Sequence, residues 1–167
     1  MDRLEPWRHR VVLPFIRGQF LDLACGYNNL TRAHGSGVGA DVFPWEGIQV
    51  RIGDAANLPF RDSSFDTVSV VAALNHIPNR EGTLREVIRV LRPRGLFLAT
   101  MIGPWTGHLA HQFFRHDEAQ RGGMREGELH GISPSGMRAL LRRAGFELVR
   151  EVPFQLRLNR LYVARKL

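Results

Sequence analysis

Cysteine and lysine are nearly missing from this chain. Cys25 is the one cysteine, which excludes an internal disulfide and suits a reducing cytoplasm. Lys166 is the one lysine among 23 lysines and arginines, so no phosphate loop built on a lysine is available. No apolar run approaches the roughly 20 residues of a membrane span. The opening stretch MDRLEPWRHR has no apolar core of signal-peptide length, and together these absences predict a cytoplasmic protein. Repeats and low-complexity tracts are absent too. Glycine is thin at one telling place: LDLACGYNN, residues 21–29, carries a single glycine, Gly26.

The chain has 167 residues, enough for one domain over 1–167 with a real core and too few for two comfortable ones. Its net charge is +7 and its isoelectric point about 11.1, which would suit a polyanionic partner. The arginines, however, are scattered from Arg3 to Arg165, and no basic stripe interleaved with aromatics accompanies them. Solvated helix faces are the simpler reading of that charge, which disfavours nucleic acid and leaves it as an alternative.

Periodicity alternates between short apolar runs and helical spacing. Strands are expected at 20–24, 37–41, 48–54, 65–74 and 95–102, with a closing pair at 146–154 and 158–166. The connection within that last pair is so short that its strands must be antiparallel. The run 83–93 places Leu84, Val87, Ile88 and Leu91 at amphipathic helical spacing, with Pro93 and Gly95 as its stop. The run 133–145 reads as a helix with Ser133 as N-cap, Pro134 at the first position and Gly145 closing the end. This alternation predicts an α/β fold: a mostly parallel sheet of about seven strands with an antiparallel last strand and helices on both faces. Such a sheet takes its ligand beyond the carboxyl ends of the strands, where strand order reverses.

Three acids fall at or near those ends: Asp22 within the first strand, Asp41 closing the second and Asp54 closing the third. A carboxylate closing the second strand suits the two vicinal hydroxyls of a ribose. One closing the third can accept from an exocyclic amine, and Val42, Phe43 and Ala55 can flank a flat base. The implied ligand is an adenosine. The glycine-poor turn disfavours a pyrophosphate beside it, so a zwitterionic tail fits better than a dinucleotide.

LDLACGYNN, then Asp41, then GDAANLPFRDSSFDTV, LNHIP and REVIRVLRPRGLFLAT resemble, in order, the successive motifs of class I S-adenosylmethionine-dependent methyltransferases, type-11-like branch. The resemblance is strong over about 19–102 and looser over 132–167. It implies a Rossmann-like methyltransferase fold with S-adenosylmethionine as cofactor and S-adenosylhomocysteine as product. It maps Asp22, Ala24, Cys25, Gly26, Tyr27 and Asn28 around the methionine portion, Asp41 to the ribose, Val42 beside the adenine, and Asp54 with Ala55 to the adenine edge. Ala73, Leu74 and His76 fall beside the sulfonium. Where the family has glycines at the first and third turn positions, this chain has Ala24 and Asn28. Alanine is tolerable there if φ stays negative, and asparagine is at ease in the left-handed region. The interval from Asp22 to Asp41 is also short for the family, implying a clipped helix and a more open cofactor site.

His76 is the candidate general base, although many family members methylate by proximity alone and a packing role in NHIP is the simpler reading. Asn75 is a candidate for orienting substrate; the proline-rich motif of amino-group methyltransferases is missing here. Residues 103–132 are expected to cover the acceptor site as a lid. Within them Trp105, Leu109, Phe113 and Phe114 offer an apolar wall, and His111, Glu128 and His130 offer polar acceptor contacts. His108, His111, His116 and His130 raise a metal site, but no metalloenzyme spacing appears and none is expected. The expected function is methyl transfer to an unidentified small-molecule acceptor by a monomer or homodimer. The alternatives are an RNA methyltransferase, which a clustered arginine face would favour, a non-catalytic cofactor-binding regulatory protein, and, more distantly, a nicotinamide-dependent enzyme.

Overall fold

The structure, a computed structural model, describes residues 5–104 and 126–167. In chain order its elements are α1 (Glu5–Val12), a 3-10 turn (Leu13–Phe15), β1 (Phe20–Leu23), α2 (Asn29–His34), β2 (Val38–Asp41), β3 (Val50–Arg51), β4 (Phe65–Val71), a 3-10 turn (Leu74–His76), α3 (Arg80–Val90), β5 (Leu91–Ile102), α4 (Pro134–Arg143), β6 (Phe146–Phe154) and β7 (Asn159–Lys166). Seven strands form one sheet in the order β3-β2-β1-β4-β5-β7-β6. Neighbours from β3 to β5 are parallel, and β7 runs antiparallel to both β5 and β6. The α/β reading holds, including its one antiparallel strand. The chain winds outward from β1 to β3 and then returns to β4, so strand order reverses between β1 and β4.

Alternate side chains of each strand enter opposite layers. On one face Leu21, Leu23, Phe97, Ala99, Tyr162 and Ala164 pack under Leu84 and Val87 of α3 and Met137, Leu140 and Leu141 of α4. On the other, Phe20, Leu98, Leu161 and Val163 pack under Val12 of α1, Ile16 and Leu30 of α2. Helices therefore cover both faces. Ser133 caps α4 as expected, its hydroxyl accepting from the Gly136 amide at 3.1 Å.

Several boundaries differ from expectation. The third strand is two residues long rather than 48–54, because Asp54 and Asn57 close a turn of their own. Asp54 therefore sits in a loop past the strand, not at its end. The fourth strand stops at Val71 rather than 74, because Ala72 turns into the left-handed region at φ 53°. Pro93 and Gly95 do not stop α3. Asn79 starts it, accepting from the Gly82 amide at 3.0 Å, and the chain passes from Val90 straight into β5, where Pro93 and Gly95 lie in an irregular stretch between Leu91 and Leu96.

Candidate active site

Two buried carboxylates, Asp22 and Asp41, flank the turn after β1 in sequence and in the sheet. Asp22 is 3% exposed, and one of its oxygens accepts from the Ser69 hydroxyl of β4. Asp41 is 6% exposed. Its two oxygens accept from the Gly26 amide and the Phe43 amide, each at 2.9 Å, so one carboxylate ties the turn after β1 to the loop after β2. A carboxylate oxygen can accept more than one hydrogen bond. Burial, with the charges of Asp22 and Asp41 behind it, pushes the Cys25 thiol far above its ordinary range. Burial and these charges thus disfavour the Cys25 thiolate, and the thiol is held neutral.

The substituted glycine positions behave differently from one another. Asn28 adopts φ 60°, as expected of asparagine. Its side chain turns inward, donating to Gly47 O and Gln49 Oε1 at 3.0 Å each and accepting from the Thr31 hydroxyl. A β-carbon at Gly39 would collide with that amide. Ala24 departs from expectation: its φ is +57°, not negative. The turn keeps its left-handed shape there at a cost of about 1–2 kcal/mol for an L-residue. At Gly26, φ 54°, a β-carbon would meet nothing within 4 Å, so its backbone faces open space. The six-residue α2 that follows is the clipped helix expected.

Around that space Val42 is 45% and Tyr27 40% exposed, while Ala55 is buried. Asp54 is exposed, and one of its carboxylate oxygens accepts from the Ala56 amide at 2.8 Å. Tyr27 meets Trp45 with ring centroids 5.0 Å apart, and Phe43 meets Trp45 at 4.7 Å. Trp45, which no spacing in the sequence singled out, joins the two loops by ring contact.

The turn after β4 is built otherwise. Ala73 is half-buried and Leu74 lies wholly in the core, so Leu74 offers only its backbone to a ligand. His76 Nδ1 lies 3.1 Å from Glu128 Oε2, whose side chain is 3% exposed against 18% for the imidazole. Asn75 Nδ2 lies 3.1 Å from His76 Nε2 and donates to Leu129 O at 3.0 Å. The Leu129 amide returns a bond to Asn75 O at 2.8 Å. Arg80, not anticipated, donates to Ile77 O at 2.8 Å and Gly127 O at 3.0 Å. Asn75, His76 and Glu128, named separately from the sequence, thus form one clasp holding residues 127–129 against the end of β4. His130 follows, half-buried. Trp105, His108, Leu109, His111, Phe113, Phe114 and His116 lie outside the described residues. Among the described residues no three His, Cys, Asp or Glu side chains come together as a metal site, and no helix is long and apolar enough to cross a membrane.

An arginine cluster does exist, at the opposite end of the sheet. Arg17, Arg94 and Arg165 line a cavity of about 500 Å³ together with Asp66. The seven residues of β4, at about 3.3 Å each, separate its level from the turns just described.

Residues 21–99 match the family described as Methyltransferase domain. The chain is 37% identical over 84 residues to a demethylmenaquinone methyltransferase of Desulfitobacterium hafniense, covering 50% of this chain and 32% of that one. It is 52% identical over 52 residues to phthiotriol/phenolphthiotriol dimycocerosates methyltransferase 1 of Mycobacterium ulcerans, covering 31% and 19%. The matched stretch thus spans a third or less of these relatives. Among solved structures, an S-adenosylmethionine-dependent methyltransferase from Mesorhizobium loti superposes with a TM-score of 0.70 at 20% identity, over 99% of this chain and 98% of that one. One from Methanosarcina mazei gives 0.62 at 21%, over 94% and 97%. The fold is the Rossmann-like methyltransferase fold. The family match covers just under half of the chain, and the fold is one shared with solved S-adenosylmethionine-dependent methyltransferases.

Proposed function

We propose that this chain binds S-adenosylmethionine in the crevice between the turns after β1 and β4 and methylates a small-molecule acceptor. The carrying observation is Asp41, whose single carboxylate bonds the amides of both Gly26 and Phe43 beside the open space in front of Gly26. When bound, S-adenosylmethionine supplies an electrophilic methyl group on a sulfonium and leaves as S-adenosylhomocysteine. Asp41 accepts from the ribose hydroxyls. Asp22 sets a buried negative charge under the turn, where the cationic end of the cofactor is attracted. The backbone of Ala24, Cys25, Gly26, Tyr27 and Asn28 shapes the methionine side. Val42 and Ala55 offer apolar surface to the adenine, and Asp54 accepts at its edge.

On the acceptor side the chain works chiefly by positioning and by excluding water. Ala73 and the Leu74 backbone border the reacting centre, and the clasp of Asn75, His76 and Glu128 fixes the segment that would cover it. Glu128 orients the imidazole so that Nδ1 carries the proton and Nε2 the basic lone pair. Asn75 already donates towards that lone pair, so His76 accepts a substrate proton only if this bond yields. Trp105, His111 and His130 complete the reading as acceptor contacts. A small acceptor is favoured over RNA because the clustered arginines line the far end of the sheet. A reducing cytoplasm suits the chain's single thiol.

The test is calorimetric titration with S-adenosylhomocysteine. Wild-type protein binds saturably. Asp41→Ala loses two charge-assisted bonds and weakens binding roughly 100-fold, each such bond contributing about 1.5 kcal/mol. A folded wild type that shows no saturable binding would overturn the reading.

A further inference from the structure

We propose that the turn joining β6 to β7 is a lipid-docking tip that seats the acceptor end of the sheet on an anionic bilayer. β7 pairs with β5 so that Asn159 lies beside Ile102. Residues 155–158 therefore overhang the carboxyl end of β5, the same end as the turns after β1 and β4. At the tip Leu156 is 94% exposed and Leu158 52%. Arg157 between them is exposed and makes no ion pair among the described residues.

The backbone holds this arrangement against its own preference. Gln155, Leu156 and Arg157 adopt φ of 50°, 56° and 68° in succession, each a strained value for a residue with a β-carbon. A turn needed only to connect two strands would use glycine or asparagine there. The turn is nonetheless closed. The Leu158 amide donates to Gln155 O at 3.0 Å, and the buried Asn159 donates to Gln155 Oε1 at 3.3 Å. Strain kept in a closed turn that drives leucine into solvent marks a site shaped for contact.

The chemistry of the tip selects its partner. Leucine, arginine, leucine in sequence places two apolar side chains to enter the headgroup boundary and a guanidinium to meet phosphate between them. Arg150 lies exposed on the adjoining strand, its guanidinium 6.0 Å from the Phe15 ring centre. Arg160 is bridged to Glu151 at 3.5 Å, and Glu151, also held by Arg138 at 2.8 Å, is the acid of this corner. A chain of net charge +7 is drawn to an anionic leaflet. Two leucines fall far short of the roughly 800 Å² per partner that a stable protein interface buries, whereas a bilayer needs only a tip. Where the methyl-transfer reading holds, the consequence is an acceptor that partitions into lipid and reaches the site from the membrane.

The experiment is co-sedimentation of the whole chain with vesicles of phosphatidylcholine alone and of equimolar phosphatidylcholine and phosphatidylglycerol, with S-adenosylhomocysteine titrated into the same preparations. Wild type binds the phosphatidylglycerol vesicles, and raised salt weakens the binding. Leu156→Asp with Leu158→Asp weakens it about tenfold or more, and Arg157→Glu about fivefold. Both variants keep their melting temperature and their affinity for S-adenosylhomocysteine. Failure of wild type to sediment with phosphatidylglycerol vesicles overturns the proposal, as does equal binding by the variants. A solution dimer that Leu156→Asp dissolves, without vesicle binding, overturns it in favour of a second copy. Vesicle binding without S-adenosylhomocysteine binding sustains the docking tip while the methyl-transfer reading falls.

Discussion

β1 and β4 each run out into an alanine in the left-handed region, Ala24 at φ 57° and Ala72 at φ 53°, and the two turns are secured by opposite strategies. After β1 the support is near in sequence. Asp41 reaches the Gly26 amide across 15 positions, and Asn28 reaches Gly47 across 19. After β4 it comes from far away. Glu128 reaches His76 across 52 positions, Leu129 meets Asn75 across 54, and Gly127 meets Arg80 across 47. The Ala72 amide itself donates to Thr100 Oγ1 at 2.9 Å, 28 positions on. The turn after β1 is thus tied mainly to the nearby loop after β2, while the turn after β4 gains most of its support from the docking of residues 127–129.

Breaking the distant support should therefore separate the two halves. Glu128→Ala strips the clasp of its buried carboxylate and should lower stability by about 2 kcal/mol in a denaturant melt. S-adenosylhomocysteine affinity should change less than twofold, because the hydrogen bonds of Glu128, Leu129 and Gly127 go to His76, Asn75 and Arg80 rather than to the first turn. His76→Gln, which keeps a donor towards Glu128, should recover much of the loss, and His76→Ala should not. Equal losses in cofactor affinity and stability would show that the halves are not independent.

This division also explains what was legible in advance. The seven-strand α/β sheet, its antiparallel strand and the Ser133 cap follow from periodicity and capping chemistry, which are local. Asp41 was legible for the same reason, as an acid closing a short apolar run. The length of β3 was not, because Asp54 forms a turn with Asn57 that competes with the strand, and a propensity reading does not weigh that contest. The start of β5 was missed because Leu91 pairs with Phe65, a partner no window of sequence contains. Asn75, His76 and Glu128 were each suspect as polar residues near a strand end or in the lid, but their meeting depends on a contact about 50 positions long. Arg80 and Trp45 carried no signal at all, since an arginine opening a helix and a tryptophan in a loop are ordinary. The positive φ of Ala24 was the plain surprise. The Cys25 amide donates to Ala40 O at 3.3 Å and the Gly26 amide to Asp41 at 2.9 Å, and these bonds offset alanine's dislike of the conformation.

The two alanines offer a finer probe of the same contrast. Glycine relieves about 1–2 kcal/mol of left-handed strain and costs about 0.5–1 kcal/mol in unfolded-state entropy. Ala24→Gly and Ala72→Gly should each stabilise the protein by on the order of 0.5 kcal/mol, read as a small rise in melting temperature. Ala24→Gly should leave S-adenosylhomocysteine affinity unchanged, because the turn already has the left-handed shape. A gain in affinity would mean that alanine distorts the turn as well as straining it.

The smallest effect concerns Cys25 and asks how much of the first turn's character comes from its acids. Burial is the leading cause of its raised pKa, with the charges of Asp22 and then Asp41 behind it. A thiol alkylates through its thiolate, so at pH 8 iodoacetamide should modify Cys25 more than about tenfold slower than a free cysteine. Asp22→Asn removes one of the two charges that hold the thiol neutral. Its alkylation should quicken, yet stay slower than that of a free thiol, because burial persists. If Asp22→Asn brought the rate up to that of free cysteine, the carboxylates rather than desolvation would control the thiol, and the turn would be wetter than its packing implies. If the rate did not move, Asp22 would be screened from Cys25, and its charge would then be screened equally from a cationic cofactor lying over the same turn.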